Sequence, residues 1–318
     1  RILALHHHFN IVVIMTTFMT LMVVLNNYLL RLYYGDLGAT LTAIAFVFSY
    51  DLSVLILYLY TMKNSFFKEI WGEGWKDWYY PQWRDYLRIA IPGTFMVCSE
   101  WLAFESAGIM AAELAKLYGP EYLSTFSLQM NIYVVINCAY NGFGYGLANQ
   151  IGKHLGAGRL YQAIRTTYLG VCMSFPIAII VQGIIYNTRE YWINPLSQDQ
   201  ATINLLNQSY TWFGFCMIAR QVNVIMTGIV RGTGQQKLIA YSNVFGYYFI
   251  GLPLAYYLSL YNEPGEGLDG LWKGIVIAPL INMCVFMIMI GTNDWISLVN
   301  WAVNKSRNNR DSVEEERQ

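Results

Sequence analysis

The sequence predicts an all-α, polytopic membrane protein of about eight transmembrane helices. Of its 318 residues 55% are hydrophobic and 13% charged, whereas a soluble domain carries about a quarter charged residues. Eight apolar segments are each long enough to cross a bilayer, which takes about 20 such residues in a helix. Polarity concentrates between the segments, and no period-2 alternation of the barrel-forming kind appears. Twenty basic and twenty acidic side chains cancel, so no basic excess is available for a phosphate backbone and no nucleic-acid partner is expected.

The first two spans are read at 10–33 and 38–62. Ahead of them the chain opens at Arg1 without Met and lacks the cleavage site of a signal peptide. A C-terminal piece of a longer protein is therefore expected, with further helices upstream. His6, His7 and His8 are adjacent, so on a helix they point about 100° apart and do not form a metal site. Residues 63–87 include Trp71-Gly-Glu-Gly-Trp75-Lys-Asp-Trp78-Tyr-Tyr-Pro-Gln-Trp83, aromatics between charges, which predicts an amphipathic linker along the membrane surface between two bundles.

Six more spans follow at 88–115, 121–152, 162–186, 203–230, 237–261 and 270–292, with a polar tail at 293–318. The five cysteines are odd in number and sit inside apolar runs, so buried free thiols are expected rather than disulfides or a metal site. Asn207-Gln-Ser209 is a glycosylation sequon, placed within or at the edge of the sixth span. Asn304-Lys-Ser306 is a second, expected to be cytoplasmic and unmodified.

Four ionisable residues lie well inside spans: Asp51, Glu100, Glu105 and Arg220. Each is costly against lipid, so a cavity or a partner is the default reading. At about 1.5 Å per residue Asp51, Glu100 and Arg220 lie at similar depth near the midplane. Glu100 and Glu105, five apart, point about 140° apart on a helix and cannot both face one partner. Pro92 removes a backbone hydrogen bond before Glu100 and favours a kink. Trp101 is the tryptophan placed deep in a span, suited to packing or to a cavity wall.

These residues carry a family likeness. Pro92 with Cys98-Ser-Glu-Trp-Leu-Ala-Phe-Glu105, then Leu155-Gly-Ala-Gly158, Gly228-Ile-Val-Arg-Gly-Thr-Gly-Gln235, Asn243-Val-Phe-Gly-Tyr-Tyr-Phe-Ile-Gly-Leu-Pro253 and Gly270-Leu-Trp-Lys-Gly274 stand in order over the C-terminal two thirds. The chain resembles the eukaryotic multidrug and toxic compound extrusion (MATE) transporters. The resemblance implies a six-helix C-terminal lobe over 88–292, with 1–62 as the last two helices of an incomplete N-terminal lobe. It further implies a secondary antiporter exporting small organic solutes or xenobiotics, with a proton as coupling ion and no other cofactor.

The resemblance puts the coupling acid at Glu100, with Glu105 and Asp51 as further candidates, and Trp101, Asn131, Arg220 and Tyr248 as cavity-lining or supporting residues. Asn131 is level with Glu105, so its amide is placed either to bond that carboxylate or to make a helix–helix hydrogen bond of modest worth. One departure stands out: family members usually carry an acid where this chain has Arg220, and a guanidinium favours the ionised form of Glu100. A buried Glu100–Arg220 ion pair is therefore expected, each charge compensating the other. Gly142, Gly144, Gly146 and Gly152 are expected to let helices approach closely. Arg231-Gly-Thr-Gly lacks the spacing and the Lys of a phosphate-binding loop, so no nucleotide is expected, and no nucleophile–base pair suggests an enzyme. A non-transporting membrane subunit that keeps the C-terminal lobe is the alternative in another class, and a lipid-linked saccharide flippase a weaker third.

Fifteen Lys and Arg fall in loops on one side of the eight spans and four on the other, with Arg220 alone inside a span. Positively charged loops stay cytoplasmic, which puts both ends of the chain in the cytoplasm. A cysteine introduced into the 263–269 loop should react with an impermeant thiol reagent from outside; labelling only from the cytoplasm would overturn this topology.

Overall fold

The structure, a computed structural model, describes residues 9–34, 38–63, 83–261 and 266–304. His6–His8, residues 64–82 of the expected linker and the tail beyond 304 lie outside them. The chain divides into two compact units, Arg1–Trp83 and Arg84–Gln318.

In the first unit α1 (Phe9–Tyr34) packs against α2 (Gly38–Lys63). Ala45, Ser49 and Ser53 recur every four residues and are buried, a small-residue stripe that lets two helices approach. Asn26 donates to the Ser49 hydroxyl at 2.8 Å. Asp51, two residues from both serines, points to the opposite side and is exposed.

The second unit holds α3 (Trp83–Tyr118), α4 (Glu121–Gly156), α5 (Leu160–Asn187), the short α6 (Arg189–Leu196), α7 (Gln200–Gly232), α8 (Gln236–Tyr261) and α9 (Gly267–Thr292); residues 295–304 are also helical. α7 is the central helix, buried on almost every side from Cys216 to Val230, and it packs against α4, α5, α8 and α9. At its N-terminus Asp199 accepts hydrogen bonds from Ala201 N–H and Thr202 N–H and from the Thr202 hydroxyl, satisfying donors that a helix end leaves free. The Thr202 hydroxyl above all holds the Asp199 carboxyl below its usual range.

Two helix pairs touch backbone to backbone. A Cβ on Gly228 would fall against α4, with Gly144 Cα at 2.5 Å, and one on Gly232 would meet Ala148 O at 2.9 Å. Between α8 and α9, a Cβ on Gly274 would meet Ala255 Cβ at 2.5 Å and one on Gly246 would meet Ala278 Cα at 3.1 Å. Of the glycines expected to serve such contacts, Gly144 does. Gly142 and Gly146, each two residues from Gly144, lie off the face that meets α7 and have nothing within 4 Å, while Gly152 faces Gly232 O of α7 at an ordinary 3.9 Å.

α8 contains widened, π-helical turns at Val244–Gly251 and Tyr257–Tyr261. Pro253 follows the first and has no N–H for the Phe249 carbonyl, so the ordinary ladder is interrupted there. α3, by contrast, runs unbroken through Pro92.

Six helices, α2, α3, α5, α7, α8 and α9, meet both the length and the hydropathy of a membrane span among the described residues. α4 does not, although its 36 residues are ample, because it carries a polar stripe. Thr125, Gln129, Tyr133 and Asn137 stand four apart and are all buried, so its polarity faces inward rather than towards lipid. Gln129 donates to the Ser209 hydroxyl at 2.9 Å and accepts from Trp272 Nε1 at 2.8 Å, while Thr125 donates to Thr202 O. The span count read from sequence thus rests on length alone for α4, while α1 is apolar over Ile14–Leu30. The Asn207 sequon lies inside α7 with Ser209 buried. Of the five free cysteines only Cys216 is buried, so the expectation of buried thiols fails for the other four, which occupy outward faces of their helices.

Gly228→Val and Gly274→Val should each cost about 1–3 kcal/mol or more by overpacking a backbone contact. Gly142→Ala and Gly146→Ala should be neutral or stabilising by up to about 1 kcal/mol, since open helical positions favour Ala. Thermal unfolding of the purified protein in detergent distinguishes the two pairs.

Candidate functional site

Burial along α3 follows the helical period: Met96, Ala103, Phe104, Ala107, Ala111 and Leu114 face the lobe. Glu100, midway along this 36-residue helix, stands one turn from Met96 and one from Phe104 and so lies on the inward stripe. Glu105, about 100° round from Phe104, is exposed. The helical period alone therefore separates the two carboxylates.

Facing Glu100 is Arg220, on the buried face of α7. The Glu100 carboxylate pairs with Arg220 Nη2, the side chains keeping 19% and 3% of their accessible surface. The expected ion pair forms. Arg220 Nε donates to the Tyr133 hydroxyl of α4 at 3.1 Å, and Nη1 donates to Asn223 Oδ1 at 3.0 Å. The guanidinium is thus held from three directions in a plane, as its fork geometry requires, while Glu100 retains an edge on the accessible face of the unit.

Aromatic rings close the surroundings. Phe104 lies 4.8 Å from the Tyr133 ring and 6.1 Å from that of Tyr247. The widened turn of α8 presents two successive tyrosines here: Tyr247 is fully enclosed, and the Tyr248 hydroxyl donates to Ser99 O at 2.8 Å, one residue before Glu100. One turn away Asn243 donates to Met96 O at 3.4 Å and accepts from Asn282. α3 is therefore tied to the lobe by long side chains rather than by backbone approach.

The sequence-predicted residues divide accordingly. Glu100, Arg220 and Tyr248 come together. Glu105 and Asn131 are both exposed and no hydrogen bond joins them; Asn131 is two residues from both Gln129 and Tyr133, hence on the opposite side of α4 from the inward stripe. Trp101 is 42% exposed on the unit's surface, so it is not a packing residue of this unit. Asp51 belongs to the first unit. Sequence reasoning missed Tyr133, Asn223 and Tyr247. The four-residue spacing of Thr125, Gln129, Tyr133 and Asn137 was a usable signal for the first, and the i,i+3 spacing from Arg220 for the second.

A family model described as MatE matches residues 80–257, a stretch that holds Glu100, Tyr133, Arg220, Asn223, Tyr247 and Tyr248. The chain belongs to the MatE family. It is 27% identical over 271 residues to the human multidrug and toxin extrusion protein 1, covering 85% of this chain and 46% of that protein. With an uncharacterized transporter of Schizosaccharomyces pombe it shares 30% over 274 residues, 84% of this chain and 47% of that one. The chain thus spans about half the length of these MatE relatives. The crystal structure of the eukaryotic MATE transporter AtDTX14 superposes with a TM-score of 0.79 at 21% identity, covering 93% of this chain and 65% of that one. The MatE fold, a polytopic helical membrane protein, is common to both.

Breaking the pair from one side strands a buried charge, at a cost of about 3–5 kcal/mol. Arg220→Ala should therefore destabilise the protein more than the joint replacement Glu100→Gln, Arg220→Gln. Unfolding midpoints of the two variants in detergent test this; equal losses would mean that the pair is not what holds Arg220 in place.

Proposed function

We propose that this chain acts in secondary antiport of small organic solutes or xenobiotics, exchanged for protons that bind Glu100. Multidrug and toxin extrusion is what its human relative is named for. The observation that carries the reading is a half-buried carboxylate in the middle of a spanning helix, paired with an enclosed guanidinium.

Neutralising Glu100 removes the attraction that holds α3 to α7 and leaves Arg220 without its counter-charge. An enclosed unpaired charge is expensive, so uptake of a proton favours any rearrangement that resolvates or re-pairs Arg220. Protonation is in this way linked to movement of α3, which is tied to the lobe by Tyr248, Asn243 and Glu100 rather than by close backbone contact. The solute, in this reading, meets the accessible edge of Glu100 and the exposed indole of Trp101 on the same helix. The excess of Lys and Arg in one set of loops supports a cytoplasmic location for both ends.

Glu100→Gln keeps the shape but cannot bind and release a proton. In proteoliposomes with an imposed pH gradient, the complete protein carrying this change should insert normally and exchange solute only at background rate. Undiminished exchange would move the coupling to Glu105 or Asp51. A wild-type protein that inserts but exchanges nothing would favour a non-transporting membrane subunit.

A further inference from the structure

The surroundings of Arg220 hold more hydrogen-bond donors than acceptors. A guanidinium has five N–H groups, and three are engaged, by Tyr133, Asn223 and Glu100, which leaves two. Tyr133 accepts from Arg220 Nε, so its own O–H is still to be placed. The Asn223 amide offers Oδ1 to the guanidinium while its Nδ2, in the same amide plane, has no partner. The Tyr247 hydroxyl, within electrostatic reach of Arg220, has none either. Tyr133, Arg220, Asn223 and Tyr247 each keep 3% or less of their surface. Buried donors left unmade are costly, and a cluster of them around a fixed positive charge matches a small anion.

The occupant at present is the Glu100 carboxylate. It retains an open edge whereas Arg220 does not, so the acid can leave and the base must stay. We propose that the Arg220 cluster is an anion seat, which takes a halide or a carboxylate group when protonation of Glu100 vacates it. Charge decides the linkage. The Glu100–Arg220 pair is neutral; adding a proton alone leaves one buried positive charge, and adding a proton together with a monovalent anion restores neutrality. Each therefore favours binding of the other.

The other titratable groups around the pair are Cys216 on α7, Tyr133 and Cys138 on α4, Tyr247 and Tyr248 on α8, and Glu105 on α3, which faces away. Among the described residues Arg220 makes no second ion pair, so Glu100 is the competitor that an incoming anion must replace. The seat goes beyond the antiport reading and is measured as binding, so it stands or falls whether or not the protein exports a solute.

The test titrates the thermal unfolding of the complete purified protein with sodium chloride, and separately with sodium acetate, at constant ionic strength held by a bulky sulfonate salt. For the wild type, the concentration giving half-maximal stabilisation should be at least about tenfold lower at pH 5 than at pH 8. Glu100→Gln should bind at both pH values with the affinity of the low-pH wild type. Tyr247→Phe, which keeps the ring and removes one unpartnered donor, should fold as well as wild type without anion and bind it several-fold more weakly. Tighter binding of acetate than of chloride assigns the seat to the carboxylate of an organic solute, and the reverse to an inorganic ion. No anion dependence in a folded Glu100→Gln protein, the same midpoint at both pH values in wild type, or an unaffected Tyr247→Phe titration would each overturn the proposal.

Discussion

One enclosed guanidinium governs the second unit. Removing a charge from water is costly enough that Arg220 on the central helix commits its neighbours to answering it: a carboxylate from α3, a phenol from α4 and an amide from its own next turn. None of these three helices can rotate by one residue without leaving a donor or a charge unanswered. The pair thereby fixes the rotational setting of α3, whose flanking apolar residues, Met96, Ala103, Phe104 and Ala107, then have one consistent inward face. Hydrophobic packing would tolerate several settings, whereas the charge tolerates one.

The lobe combines two kinds of helix contact. α4 against α7, and α8 against α9, meet at glycines with no room for a Cβ, contacts that cannot slide without a clash. α3 instead rests on Phe104, Tyr248, Asn243 and Glu100, side chains with rotamers to spare. A rigid core and one side-chain-mounted helix are what a moving membrane protein needs, since close-packed backbones store no alternative arrangement while rotamers do.

Much of this was legible in the sequence, and the reasons for the exceptions are physical. Apolar length and motif order located the helices of the lobe and the family, and depth counting brought Glu100 and Arg220 to one level. Helical phase was used for Glu100 against Glu105 but not for Asn131, and there the inference failed: level with Glu105, Asn131 still points the other way. Counting four glycines in α4 as contact sites failed for Gly142 and Gly146 for the same reason, since they lie off the face that meets α7, whereas Gly152 faces α7 at ordinary contact distance. The polar spacing of α4 marked Tyr133 as inward-facing but not what its hydroxyl meets, which an arginine 87 residues away decides, and Tyr247 in its apolar run carried no such mark. The exposed cysteines show the converse, that an apolar run in a membrane helix does not mean a buried residue.

The inward polar stripe of α4 also bears on how the chain is made. Gln129 and Tyr133 find their partners at Ser209 and Arg220, 80 and 87 residues further along. Chains are synthesised at about 5–20 residues per second, so Gln129 and Tyr133 are made several seconds before their partners exist. During that interval these side chains lack the partners that the folded lobe gives them. α4 is therefore a helix whose stay in the bilayer is provisional at birth and is secured only when a later helix arrives to shield it.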